Sequence, residues 1–168
     1  MQDPKSIENA VKNLEGSEKL ISGKEFKALP KILLNHELPE NFIRVTYKNR
    51  NGLLIATNER LIFISTNLFG SKTSIFPYEN ILSIQNKTGS SLNEMEINTH
   101  DNEANIIISK DQLQPFVDWL SSKIAQKSKE LLLNEILRLA ELCKNGGITH
   151  KEFLEQKLRL LEQDIIKE

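Results

Sequence analysis

Asn51-Gly52-Leu53-Leu54-Ile55-Ala56-Thr57-Asn58-Glu59-Arg60-Leu61-Ile62-Phe63-Ile64 decides how this chain is read. Two continuous apolar runs, 53–56 and 61–64, flank the polar Thr57-Asn58-Glu59-Arg60, the pattern of two strands joined by a tight turn. Asn51-Gly52 ahead of them is a second turn signal, because both residues tolerate positive φ. It predicts a hairpin with the preceding run 42–48, which carries Phe42, Ile43, Val45 and Tyr47. Further β-rich runs occupy 72–76, 81–86, 92–99 and 104–108. Gly70-Ser71, Pro77-Tyr78-Glu79-Asn80, Gly89-Ser90 and Asp101-Asn102 supply the turns between them. Seven strands at this spacing imply an antiparallel barrel or sandwich.

Outside this region the apolar period becomes 3.6. Residues 5–36 read as two or three helical pieces. Ile7, Ala10, Val11 and Leu14 form one face ending at Gly16-Ser17; a second piece from Lys24 carries Phe26, Leu29, Ile32, Leu33 and Leu34. Pro30 lacks an amide and clashes with the turn before it, so a break or fresh start is expected there. Beyond residue 108, Phe116, Trp119, Leu120, Lys123 and Ile124 make an amphipathic face, and Pro115 suits a first helical position. A small, strongly bent sheet needs such a helix to plug its open end. The polar stretch Gln126-Lys127-Ser128-Lys129-Glu130 is the candidate linker, or equally a continuation of the helix.

The tail reads as two short helices joined at Gly146-Gly147. Ile148-Thr149-His150-Lys151-Glu152-Phe153 is a dense helix start: Thr149 and Glu152 fit a capping box, Ile148 and Phe153 a hydrophobic staple. So small a hairpin cannot bury its own apolar stripe. Leu133, Ile136, Leu137, Ala140, Ile148, Phe153, Leu154, Leu158 and Leu161 are therefore expected to fold back on this chain or to dock on another subunit or protein.

The 168 residues carry 39% hydrophobic and 27% charged side chains with a formal net charge of -1. That is an ordinary globular composition, and it provides no global field favouring nucleic acid or an anionic membrane. Cys143 is the only cysteine, which excludes an internal disulfide and fits a reducing compartment. With no leader-like start and no apolar run of spanning length, the expectation is a cytoplasmic protein. His36, His100 and His150 lack ligand spacing, and Cys143 has no partner nearby in sequence, so neither metal nor nucleophile is expected. No phosphate loop, serine elbow or carboxylate-histidine pairing occurs, and the chain reads as non-catalytic and without cofactor.

Residues 52–63, followed by Phe76-Pro77-Tyr78-Glu79-Asn80-Ile81, resemble the bacterial pleckstrin-homology (PH) domains of the YokE-like type, over about residues 36–126. These share a small apolar strand, Thr-(Asp/Asn)-x-Arg-Leu, an aromatic strand, then Pro-Tyr-x-x-Ile. The resemblance implies an α+β fold in which a seven-stranded antiparallel PH-like barrel is capped by a C-terminal helix. N-terminal helices (1–36) would precede this domain (37–126) and a helical hairpin (131–168) would follow it. The tail, through Leu139-Ala140-Glu141-Leu142, Gly147-Ile148-Thr149, Glu152-Phe153 and Lys157-Leu158, resembles a SHOCT segment, a short C-terminal domain. His150-Lys151 stands where that family often has acidic residues, which weakens the favourable charge at the helix start.

Neither resemblance implies a reaction. SHOCT segments are thought to mediate oligomerisation or protein contacts, so a homo-oligomer or a protein partner is expected. In PH-like folds the first hairpin loop is where eukaryotic relatives hold inositol phosphates, so Arg44, Lys48, Arg50, Arg60 and Lys72 are the candidates for an anion or anionic-lipid site. Basic residues also commonly blunt exposed strands. Because several relatives lie in prophages, a mobile-element protein binding a host protein is a further alternative. Nucleic acid is disfavoured, because the strand aromatics Phe42, Tyr47 and Phe63 lie in apolar runs.

Overall fold

The computed structural model describes residues 3–12, 14, 17–68, 70–88, 93–100 and 103–165. The expected turns at Gly16, Gly89-Ser90 and Asp101-Asn102, and a strand start at Leu92, lie outside them. The chain divides into two compact units, Met1–Ser122 and Lys123–Glu168.

Among the described residues of the first unit, seven strands form one antiparallel sheet. They are β1 (Pro39–Tyr47), β2 (Arg50–Thr57), β3 (Arg60–Asn67), β4 (Gly70–Pro77), β5 (Ile81–Thr88), β6 (Asn93–Thr99) and β7 (Glu103–Ile108). Their order is β4-β3-β2-β1-β7-β6-β5. The sheet is open, and its two meanders join where Val45, Thr46 and Tyr47 pair with Ile108, Ile107 and Ile106.

The two apolar runs are continuous because β2 and β3 are covered on both faces, as a buried strand requires. On the inner face Ile43, Val45, Tyr47, Leu54, Leu61, Phe63 and Phe76 are buried, with Tyr47 edge-on to Phe63 at 5.3 Å and to Phe76 at 6.0 Å. Met95, Ile97, Ala104, Ile106 and Ile108 complete this core with Leu113, Phe116, Val117 and Leu120 of the following helix. Trp119 is half-buried and stacks on Phe116. On the outer face Leu53, Ile55, Ile62 and Ile64 form a second core with Ile7, Val11, Leu20, Phe26, Leu29 and Leu33. Of the latter, all but Leu33, which follows in the next bend, come from α1 (Pro4–Val11), α2 (Ser17–Ile21), α3 (Lys24–Ala28) and the 3-10 turn Leu29–Lys31, where Pro30 starts afresh.

The first hairpin turns at Lys48-Asn49, not at Asn51-Gly52. Lys48 and Asn49 have φ of 49° and 57°, and Asn51 and Gly52 lie within β2, opposite Thr46 and Val45. Gly52 serves packing instead. A Cβ there would meet the Ile64 carbonyl oxygen at 2.4 Å and the Phe63 ring at 2.7 Å, so the ring of Phe63 occupies the space a side chain would need.

The capping helix α4 spans Lys110–Lys144. It begins five residues before the expected first position, with the Ser109 carbonyl accepting from the amides of Gln112 and Leu113. Pro115 therefore stands inside the helix, where its ring removes one hydrogen bond near the exposed N-terminal end. Residues 126–130 continue the helix without a break.

In the second unit, α4 ends in a paired glycine cap. The Gly147 amide donates to the Leu142 carbonyl (2.8 Å) and that of Gly146 to Cys143 (3.1 Å), with Gly146 at φ 76°, a Schellman arrangement. Helix α5 (His150–Ile165) starts at a reciprocal box. The Thr149 amide donates to Glu152 Oε2 (2.7 Å), and the Glu152 amide to Thr149 Oγ1 (3.2 Å). The Thr149 amide, joined by the Thr149 hydroxyl donating to the same Oε2 at 2.8 Å, holds the Glu152 carboxyl below its ordinary value.

Candidate functional site

The five basic candidates do not converge. Arg60 lies at the start of β3, at the far end of β2 from Lys48, roughly 25 Å away along an eight-residue strand. Its guanidinium grips Glu37 with a fork: Nε to Oε1 and Nη2 to Oε2, both 2.9 Å. Nη2 also reaches the Ile32 carbonyl at 3.0 Å. Glu37 is fully buried and accepts further from the Leu34 amide (2.9 Å) and the Thr57 hydroxyl (2.8 Å). A buried carboxylate so surrounded is a structural ion pair, and Arg60 is committed to it.

The same cluster explains why the turn residues are what they are. Thr57 Oγ1 accepts the Glu59 and Arg60 amides, and Asn58 Oδ1 accepts the Leu38 amide at 2.7 Å. Tyr78, buried, donates to the Thr57 carbonyl at 2.7 Å. Burial, with the Glu40 carboxylate adding to it, keeps that phenol well above its ordinary 10.0. Thr57, Asn58, Arg60 and Tyr78 thus clasp residues 32–38 to the sheet. Glu37 was not foreseen; its signal was one acidic residue inside Leu33-Leu34-Asn35-His36-Glu37-Leu38.

Arg44 pairs opposite Leu53 and so shares the outer face, whereas Arg50, opposite Tyr47, and Lys72, two residues from Ser74, share the inner one. Lys48 is exposed at the turn, its ammonium 5.1 Å from the Tyr47 ring centre. A cleft of about 250 Å³ beside it is lined by Tyr47, Lys48, Ser74, Phe76, Asn80, Thr99 and Glu103 among others. One cation faces one carboxylate there, so this cleft has no net field to hold a phosphate.

His36, His100 and His150 are exposed, and Cys143 is half-buried. Among the described residues no three His, Cys, Asp or Glu side chains are grouped to hold a metal. No described helix is long and apolar enough to cross a membrane.

The hairpin separates its apolar residues into two sets. Leu132, Ile136, Leu139, Leu142 and Cys143, three and four apart on α4, are half-buried or buried, as are Ile148, Phe153 and Leu160. Leu133, Leu137, Leu154, Leu158 and Leu161 are between 36% and 59% exposed, and Ala140 is exposed as well. Leu132 and Leu160 lie outside the set read from the sequence, and Leu139 and Leu142 enter it only through the SHOCT-like pattern, although their spacing of three and four is visible there.

An open seven-stranded antiparallel sheet, followed by a helix whose Leu113, Phe116, Val117 and Leu120 are buried, is a PH-like architecture. The chain belongs to the bacterial PH-domain family, whose model matches residues 18–122. Similar solved structures include the C-terminal domain of an unknown protein from Leishmania infantum: 19% identity and TM-score 0.47, covering 64% of this chain and 97% of that one. The hSac2 domain of the human phosphoinositide phosphatase Sac2 is 14% identical with TM-score 0.47, over 63% and 81%. A DUF1696 family protein with a PH domain from Shewanella loihica PV-4 is 18% identical with TM-score 0.38, over 54% and 76%. No curated protein matches the sequence.

Proposed function

We propose that this chain is a non-catalytic binding module that assembles with a second copy of itself through the outer side of its C-terminal hairpin. The observation that carries this is the set Leu133, Leu137, Leu154, Leu158 and Leu161, left in water although the hairpin already has a closed side. Together they expose on the order of 450 Å² of leucine surface, within the range of the largest patch an ordinary monomer carries. Two copies meeting there would bury roughly 900 Å² from these leucines alone, over half of a standard interface of about 1,600 Å² before flanking contacts are counted. The flanks carry both signs, Glu135 with Arg138 and Lys151 with Glu155, so a second copy meets no like-charged wall. The likeness of the tail to a SHOCT segment supports the same function, with Ile136, Ile148 and Phe153 shaping the hairpin from within.

Light scattering after gel filtration tests this on the full chain and on a Leu137→Asp/Leu158→Asp variant. The expected result is a dimer or larger for the parent and a monomer for the variant, with the fluorescence of Trp119 unchanged. A parent chain that stays monomeric at tens of micromolar would sink the proposal and leave capture of a different protein as the use of this face.

A second reading rests on Lys48, Arg50 and Lys72 lying toward the same end of the sheet. It gives that end a weak, peripheral contact with anionic lipid, without Arg44 and Arg60. Sedimentation with phosphatidylserine vesicles at low salt should then fall on Lys48→Gln/Lys72→Gln; no sedimentation at low salt refutes it.

A further inference from the structure

We propose that the N-terminal layer, residues 4–12 and 17–33, is a latched strap that lifts from the outer sheet face as one unit while the sheet stays paired. Its helices have eight, five and five residues, followed by a 3-10 turn. Helices this short do not hold in water, so each exists because Ile7, Val11, Leu20, Phe26, Leu29 and Leu33 are buried on the strands. The layer is therefore ordered together or not at all. Beneath it, β1 pairs with β2 and β3 with β4 along most of their lengths, and β2 pairs with β3 over Leu53–Ala56 and Leu61–Ile64. Lifting the strap strips side chains of their cover but breaks no ladder.

The latch lies at the root of the layer. Glu37 receives the Leu34 amide from the strap side and the Arg60 fork from the sheet side, while Arg60 holds the Ile32 carbonyl. Asn58 ties the same segment through the Leu38 amide and the His36 carbonyl. One buried ion pair thus links the end of the strap to the β2–β3 turn. Breaking such a pair leaves an uncompensated charge, which makes it a sensitive release point. Opening bares Leu53, Ile55, Ile62 and Ile64, a stripe two strands wide that the closed strap shields. The strap thus gates access to this apolar stripe on the outer face of the sheet.

Native-state hydrogen exchange on the full chain, with low, increasing urea, tests this. The expected result is a shared opening for amides in 4–12 and 17–33, at lower free energy than β2 and β3. Glu37→Gln should speed exchange in that layer on the order of a hundredfold while leaving β5–β7 unchanged. One common exchange free energy for strap and strands in the parent chain overturns the proposal. So does a Glu37→Gln effect spread evenly over all strands. Should the variant fail to fold, the parent's urea series decides alone.

Discussion

Replacing Gly52 by alanine turns one close approach into a measurable sign. Gly52 is not at positive φ, so if space were free the added methyl would stabilise by about 0.4–1 kcal/mol, through a less flexible unfolded chain. Space is not free: the new Cβ would lie 2.4 Å from the Ile64 carbonyl oxygen and 2.7–2.8 Å from two Phe63 ring atoms. The ring is wedged against Tyr47 and the oxygen is part of β3, so neither can step aside cheaply. Overpacking of this kind costs about 1–3 kcal/mol, and a backbone atom among the clashing partners puts it toward the upper end. The net expectation is a loss of about 2 kcal/mol, or roughly 4–8 °C in Tm for a chain of this size. Urea unfolding followed by Trp119, the only tryptophan, measures it. Phe63→Leu should rescue part of the loss by removing the ring contacts, but not the contact with the Ile64 oxygen. An alanine variant as stable as the parent, or more so, would refute the proposed use of this glycine.

Tyr78→Phe removes a buried hydroxyl bonded to the Thr57 carbonyl and should cost about 1–2 kcal/mol by urea unfolding. The same phenol sets an alkaline limit. Its folded-state pKa is raised above the ordinary 10.0, so its contribution is whole below pH 10. Above that the unfolded chain loses the proton first, and stability falls by about 1.4 kcal/mol per pH unit from this group. The phenylalanine variant should lack that slope; equal slopes in both proteins would contradict the assignment. Gly146→Ala forces a side chain into the left-handed region at φ 76° and should lower hairpin stability by about 1 kcal/mol, read as faster amide exchange in residues 139–157. Glu152→Gln should fray the first turn of α5. Because the Glu152 carboxyl is held below its ordinary value, the cap is present above the usual carboxylate range and is lost as pH falls through the lowered one. Exchange at residues 151–153 that does not depend on Glu152 or on pH in that window would count against the box.

What the sequence revealed was mostly short-range. The runs of β2 and β3 were legible because burial on both faces leaves no room for polar alternation. The cap at Gly146-Gly147 and the Thr149–Glu152 box were legible because their partners lie within a few residues. Where the partner was remote, the sequence was silent or misleading. Asn51-Gly52 carries the local signature of a turn, but Gly52 answers to Phe63 and Ile64 on the next strand. Arg60 read as a free cation near a loop because Glu37 stands 23 residues earlier. Pro115 obeyed a positional rule that Ser109 overrode by starting the helix sooner. In the hairpin both leucine sets satisfy the same period, and periodicity alone cannot say which set turns inward.

The narrow join between β1 and β7 has a consequence for how the chain reaches its fold. Among the described strands, β1–β2, β2–β3, β3–β4, β5–β6 and β6–β7 are each sequence neighbours, and only β1–β7 brings together segments roughly sixty residues apart. Two meanders can thus form from local contacts, each with little loop entropy to overcome. Their docking along Val45–Tyr47 and Ile106–Ile108 is then the step expected to limit the folding rate, as chevron kinetics on variants of these residues would test. Substitutions on those six residues should slow folding in proportion to the stability they remove, while equally costly changes under the N-terminal layer should act on unfolding instead.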